Sequence, residues 1–347
     1  VAEIVVRYKA GGIHLPELGL WLDSHARQGS EWVFISHAHA DHIRAHQQSM
    51  ATEPTFFFMH QRLKCQGREK VMACEMAEDF KHGAAPYRLT CVSAGHILGS
   101  AMAHVESRGS SLLYTGDFKL EPGFTGEVCK PRAADILIME TTFGRPHYAF
   151  PPRAVIREQA LNFCRETLAE GKTPVLLAYS LGKAQELIRA LEGLEHPIML
   201  HDQVFETTRV YTRFGQPFPP FTQWDHATCR KSVVICPPHG FSGKLRQAVQ
   251  PCRTAMFTGW AIDSNCRYRC ATDAAFPLSD HSDFKSLLDL VKQVSPRKIY
   301  TVHGFAADFA ATLRELGHDA RALSEPDQLT LPMGILTRGL GATARKE

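Results

Sequence analysis

The chain has 347 residues, 44% hydrophobic and 22% charged, a balance that excludes disordered, collagenous and disulfide-scaffold classes and leaves room for more than one core. Lys and Arg (39) barely exceed Asp and Glu (36), giving a net charge of +3, so no global positive field marks a nucleic-acid partner and any basic surface must be local. No apolar run reaches the roughly 18 residues of a membrane helix, and Val1, Ala2 and Glu3 begin no basic-then-apolar signal, so no membrane association is expected. Ten cysteines without a CxxC pair read as reduced thiols of a cytoplasmic protein.

Over the first 150 residues, short β-rich runs bounded by turn residues are expected at 19–23, 32–36, 55–59, 112–115 and 136–139. Weaker helical patterns fall at 73–82 and after His42. From Pro151 the texture changes to a helix over 154–170, a strand over 174–179, and a helix opened by Gly182 and running to Leu191. Further strands at 197–200 and 232–236 predict a small parallel α/β sheet, placed in an inserted lobe at 151–270. A helix over 284–294, a buried strand over 298–302 and a helix over 308–316 return the chain to the first lobe, so that 1–150 and 271–347 form one discontinuous domain.

The segment Ser36-His37-Ala38-His39-Ala40-Asp41-His42 crowds three imidazoles and a carboxylate into seven residues, directly after the apolar run 33–35. Neutral imidazole and ionised carboxylate suit zinc and similar divalent ions, and strand alternation turns His37 and His39 to one side. The following turn can aim Asp41 and His42 at a second ion. A loop that is His-rich by chance is disfavoured, because uncompensated polar clusters at strand ends are costly to bury. Four ligands are too few for two metals. Gly95-His96, after the strand-like run 89–92, and Gly116-Asp117, after the run beginning at Leu112, supply the shortfall; each alone would pass for a turn.

In this order, HxHxDH, then Gly-His, then Gly-Asp, these residues closely resemble the metallo-β-lactamase superfamily, whose αββα sandwich carries its metals at one edge. The resemblance continues through 135–144, which contains Glu140, through Leu278-Ser279-Asp280-His281-Ser282-Asp283, and through Val302-His303-Gly304. These look like the three added motifs of the β-CASP nucleases, and the lobe at 151–270 falls where that family carries its small α/β insertion. Gly182-Lys183-Ala184-Gln185-Glu186-Leu187 resembles a recurrent helix start there. The segment Thr258-Gly259-Trp260 and the wording of 278–284 are most similar to bacterial exonucleases associated with DNA ligase. His303 is also present in RNA-directed members, so it does not decide the substrate.

The resemblance implies two divalent metal ions, zinc or alternatively manganese, with His37, His39 and His96 on the first, Asp41, His42 and His303 on the second, and Asp117 bridging. Asp23 would orient the His-rich loop. It implies hydrolysis of a phosphodiester by a hydroxide generated between the ions, with Asp41, Glu140 and His281 as catalytic residues. Glu140 would keep His281 protonated as the donor to the leaving oxygen; outside the resemblance, Glu140 reads as a surface acid and His281 as a neighbour of a helix cap. Arg145, Lys183, Arg267 and Arg269 are expected near phosphates, and Trp260 and Tyr148 either near bases or in ordinary packing. The expected function is a DNA exonuclease of DNA repair, associated with DNA ligase and other repair proteins. The alternatives are an RNA-processing exo- or endoribonuclease, a small-molecule metallohydrolase, and a non-catalytic scaffold.

Overall fold

The computed structural model describes residues 3–9, 11–226, 229 and 231–323; Val1, Ala2 and the part of the expected discontinuous domain beyond residue 323 lie outside the described residues. Strands β1 (Arg7–Lys9), β2 (Gly12–Leu15), β3 (Leu20–Leu22), β4 (Trp32–Phe34), β5 (Gln48–Ala51) and β6 (Arg68–Val71) form one sheet in sequential order. It opens as an antiparallel meander and becomes parallel from β3 onward.

Helix α1 (Glu53–Arg62) makes the crossover between β5 and β6 and overturns the strand expected at 55–59. The aromatic run Phe56-Phe57-Phe58 suits a strand by propensity, but Thr52 caps the helix by accepting from the Thr55 N–H, and Pro54 sits in the first turn, where a missing N–H costs nothing. Phe56 and Met59 then pack with Trp21, Val33 and Ile35. The Thr52 hydroxyl also donates to the Gly99 carbonyl at 2.6 Å. Thr52→Ala is therefore expected to destabilise the chain by about 1–2 kcal/mol, read as a lower urea midpoint with an unchanged slope.

Strands β7 (Ala77–Phe80), β8 (Tyr87–Ser93), β9 (Ala101–Ser107), β10 (Ser110–Tyr114) and β11 (Ile136–Glu140) begin a second sheet. The helix expected at 73–82 is thus replaced by β7, paired antiparallel with β8. Cross-strand contacts decide this: Phe80 stacks on Tyr87 at 5.1 Å and Asp79 accepts from Arg88 at 2.8 Å. After His42 the chain runs irregularly to β5, without the expected helix.

A third sheet takes β12 (Thr173–Leu177), β13 (Ile198–Leu200), β14 (Phe221–Gln223), β15 (Val233–Cys236), β16 (Cys252–Phe257) and β17 (Ala274–Phe276), all parallel, in the order β14-β13-β15-β12-β16-β17. Its last strand lies past residue 270, the limit expected for the inserted lobe. Helices α2 (Arg153–Ala169) and α3 (Lys183–Ala190) pack on it, burying Ile156, Leu161, Leu187 and Ile188 against Leu176, Ile235 and Ala255. Helices α4 (Asp202–Arg213), α5 (Gly243–Ala248) and α6 (Cys266–Arg269) complete this region.

After α7 (Phe284–Val294) the chain re-enters the second sheet through β18 (Lys298–Val302), parallel to β11, and after α8 (Ala306–Glu315) through β19 (Ala320–Ala322). One cluster joins the first two sheets, with Leu15, Leu20, Leu22 and Phe34 from one and Leu89, Val105, Leu112 and Ile138 from the other. Another joins Leu113, Leu137 and Met139 to Leu287, Leu290 and Val291 of α7 and to Phe309 and Leu313 of α8. Among the described residues no helix is long and apolar enough to cross a membrane.

Candidate metal centre and proton donor

Most chemistry-bearing residues sit at or just beyond the C-terminal end of a strand: Asp23 after β3, the His-rich loop after β4, His96 after β8, Asp117 after β10, Glu140 at the end of β11 and His303 after β18; His281 lies in the loop leading to α7, Phe284–Val294. Strands β8, β10, β11 and β18 run in one direction within the second sheet, so their ends share one edge. Close approach there depends on glycine. Gly116 has φ +54°, and a Cβ on it would fall 2.4 Å from Ser36 Cβ, so only Gly lets the Asp117 turn seat against the His-rich loop.

At this edge His37 Nε2 and His39 Nδ1 are 3.1 Å apart, and His96 Nε2 and His39 Nδ1 3.0 Å. Asp117 Oδ2 lies 3.5 Å from His37 Nε2 and 3.8 Å from His96 Nε2. The far nitrogens define the tautomers. His39 Nε2 donates to the Leu181 carbonyl at 3.1 Å, and His96 Nδ1 donates to the Asp280 carbonyl at 2.7 Å. His37 Nδ1 meets Ser36 Oγ at 3.0 Å, and that hydroxyl already gives its proton to Asp23. With those protons placed, the inward nitrogens of all three rings carry lone pairs, and they converge with a carboxylate oxygen. Four acceptors facing one another repel unless a cation lies among them, and nitrogen with oxygen donors suits a zinc-like divalent ion. Burial keeps the rings neutral, holding His37 and His96 well below the usual imidazole range and His39 at about 4.

A second cluster shares Asp117. His42 Nε2 is 3.5 Å from Asp117 Oδ2, His303 closes the group, and the two imidazole centroids are 5.3 Å apart. Asp41 stands at the rim, its side chain 72% exposed and its Oδ2 3.8 Å from His42 Nε2. Burial favours a neutral His42, but the Asp117 and Asp23 carboxylates outweigh it and raise the ring to about 10; a cation at this cluster displaces that proton. Burial first and the His42 charge second push His303 down to about 4 despite Asp41 nearby, and burial lifts Asp117 to about 7 against the pull of His42.

Asp23 accepts from the Ser36 N–H and Oγ–H, Tyr114 O–H and His42 Nδ1–H, all within 2.8 Å. It thereby orients both the His-rich loop and one ring of the second cluster. Asp23→Ala is expected to weaken metal binding about 10- to 100-fold, measured by competition with a chromophoric chelator; unchanged affinity would remove the orienting role.

Beside the metal cluster, Glu140 is fully buried, accepts from the Thr142 N–H at 2.8 Å, and meets His281 Nδ1 at 2.9 Å. The ring of His281 lies 4.6 Å from that of His96. Burial opposes a charged His281, but Glu140 first and Asp117 second raise it to about 9, so the ring holds its proton at neutral pH. Nδ1–H is occupied by Glu140, which leaves Nε2–H as the proton that can be given away.

Lys183, expected near phosphates, is buried with its Nζ on Asp280 Oδ1, and a cation already neutralised by a buried carboxylate has little charge left for a phosphate. Arg145 donates to Asp308 at 2.6 Å and covers Phe305 at 4.1 Å. Arg269 donates to Asp263 at 3.1 Å, and Arg267 covers the Tyr268 ring at 4.4 Å; all three arginines are exposed. Tyr148 is buried and packs edge-on to Trp260 at 5.6 Å, which is the packing explanation for both aromatics. The sequence reading missed Asp280, Leu181 and Tyr114 as partners of the site. Asp280 stood inside a segment already singled out, but its cationic partner lies 97 positions away, beyond any local pattern.

Residues 274–323 match RMMBL, the Zn-dependent metallo-hydrolase RNA specificity domain. The chain is 47% identical over 321 residues to a protein named probable DNA ligase from Opitutus terrae, covering 92% of this chain and 31% of that protein. It is 32% identical over 143 residues to transcription termination factor FttA of Thermococcus kodakarensis, covering 38% of this chain and 22% of the other. An RNase J-like protein of Methanocaldococcus jannaschii is 26% identical over 215 residues, 52% of this chain and 50% of that one. The chain thus spans less than a third of the ligase-named and FttA relatives. It belongs to the metallo-β-lactamase superfamily, within its β-CASP nuclease family.

Proposed function

We propose that this chain is a zinc- or manganese-dependent nuclease that hydrolyses phosphodiester bonds of DNA from an end. The observation that carries the reading is the convergence of His37, His39, His96 and Asp117 acceptors, with a protonated His281 at their side. Two ions held by His37, His39 and His96, and by Asp41, His42 and His303, with Asp117 between them, would supply a nucleophile at neutral pH and neutralise charge on a phosphate. The chain's own residues do the rest. Asp23 holds the His-rich loop in place, Asp41 stands at the solvent side of the second cluster, and His281 Nε2–H protonates the departing oxygen while Glu140 keeps that proton in place. We read the first two sheets, packed between α1 and the α7–α8 pair, as the αββα sandwich, and the third sheet, including β17, as the β-CASP-like insertion.

DNA is favoured over RNA because the ligase-named relative aligns with 92% of the chain, and the FttA and RNase J-like proteins with far less at lower identity. On the same alignment we propose a repair role beside a DNA ligase, and on the ten cysteines without a CxxC pair a cytoplasmic setting. The second reading, an RNA-processing nuclease, draws on the RNA specificity domain matched at 274–323. Digestion of end-labelled single- and double-stranded DNA and of matched RNA, with zinc or manganese added, separates them. Mononucleotides released from DNA at a rate at least about tenfold above RNA are expected, corresponding to about 1.4 kcal/mol of transition-state preference; faster RNA cleavage would install the second reading.

A further inference from the structure

Each of the three converging imidazoles needs an acceptor for the N–H on its far side. His37 finds one in Ser36, its own neighbour. The other two depend on elements brought from elsewhere in the chain: His39 uses the carbonyl of Leu181, and His96 the carbonyl of Asp280. Leu181 leads directly into Gly182 and the first turn of α3. The Asp280 carboxylate, 1% exposed, is bound by Lys183, the first residue of that helix. Gly182 lies between the two contacts with φ +93°, and a Cβ there would fall 2.8 Å from Asp280 Oδ2 and 2.6 Å from Ile97 Cγ2. The turn is therefore seated directly on the 280 loop. Gln185 Oε1 braces it by accepting the Gly182 N–H at 2.8 Å, and Glu186 accepts from the N–H groups of Phe124 and Thr125.

We propose that Lys183 is a positioning residue for the metal centre: its ion pair with Asp280 fixes the carbonyl that orients His96, and the same rigid turn presents the carbonyl that orients His39. The inference rests on reading His39 and His96 as metal ligands. Acceptors behind ligating imidazoles set which nitrogen carries the lone pair and where it points, and their loss weakens metal binding. Without the pair, the α3 turn and the 280 loop are free to separate, and both rings can rotate. The β-CASP-like region would then contribute to the metal centre through its helix start, with no ligand of its own.

The test uses the full chain, with zinc stoichiometry from native mass spectrometry and affinity from competition with a chromophoric chelator. Lys183→Met is expected to weaken zinc binding about 10- to 100-fold. Lys183→Arg is expected to restore it, because a guanidinium also binds a carboxylate. Lys183→Met leaves the buried Asp280 carboxylate without its lysine and with only His281 Nε2 facing it at 3.7 Å, so the K183M/D280N double variant, which has no buried charge in the pair, is the decisive arm. It should fold, as judged by its circular dichroism and melting curve, and still bind zinc more weakly than wild type. Wild-type zinc affinity in the double variant would overturn the proposal. So would a Lys183→Met enzyme with unchanged zinc affinity and a raised KM for oligonucleotide, which marks a phosphate contact. A wild-type chain that takes up no zinc would instead sink the metal reading itself, before any variant is compared.

Discussion

Replacing His281 by Ala is expected to lower kcat on an end-labelled oligonucleotide about 10²- to 10⁴-fold, the usual range for a lost general acid, with bound metal and KM close to wild type. The reasoning is geometric before it is electrostatic. Glu140 occupies Nδ1 at 2.9 Å, so Nε2 is the remaining nitrogen, 3.7 Å from Asp280 Oδ1 and on a ring beside that of His96. His281 sits at about 9, with Glu140 the leading cause of the upward shift against burial. An acid must hold its proton to give it away. The rate should therefore be sustained through neutral pH and fall as pH rises through the His281 value. Glu140→Gln removes the carboxylate that raises that value, so the alkaline limb should move to lower pH and kcat at neutral pH should drop. A kcat for His281→Ala within about threefold of wild type, under 1 kcal/mol of barrier, would end the assignment; so would an alkaline limb unmoved in Glu140→Gln.

Asp117→Asn should have the other large effect, because both clusters use the same carboxylate. An amide offers one neutral oxygen where an anion stood between two groups of imidazole lone pairs. Zinc stoichiometry should fall at both clusters, and activity with it. Metal removal from the wild-type chain should act in the same direction. With free zinc about a thousandfold above its dissociation constant, linkage adds about 4 kcal/mol to stability, so chelation should lower the melting temperature in scanning calorimetry by several degrees. Asp117→Asn should melt close to the chelated wild type and show no response to zinc. A melting temperature indifferent to zinc in the wild-type chain would mean that the four facing acceptors hold no cation.

The ligand types and their places were readable because strand-end chemistry is local. His37 and His39 follow β4 within a few residues, and Gly95 and Gly116 mark the close turns that carry His96 and Asp117. Elements with strong internal periodicity or clear caps were readable too, as with α7 and β18. The errors came where a partner outside the window decided. The aromatic run at 56–58 became a helix because Thr52 caps it and the first sheet takes one of its faces, and 77–80 became a strand because β8 lies beside it.

By itself, then, the amino-acid order marked the His and Asp side chains that can bind a metal, and that they stand at strand ends, since both depend on neighbours a few bonds away; Glu140 and His281 were marked only by the family resemblance. Only the tertiary structure decided which nitrogen of each imidazole faces inward, that Lys183 pairs with Asp280, and that His281 lies against a buried Glu140 that raises it. Those outcomes depend on burial and on charges far apart in the chain: Glu140 and His281 are separated by 141 positions and meet at 2.9 Å, a proximity that comes from β-sheet pairing and core packing.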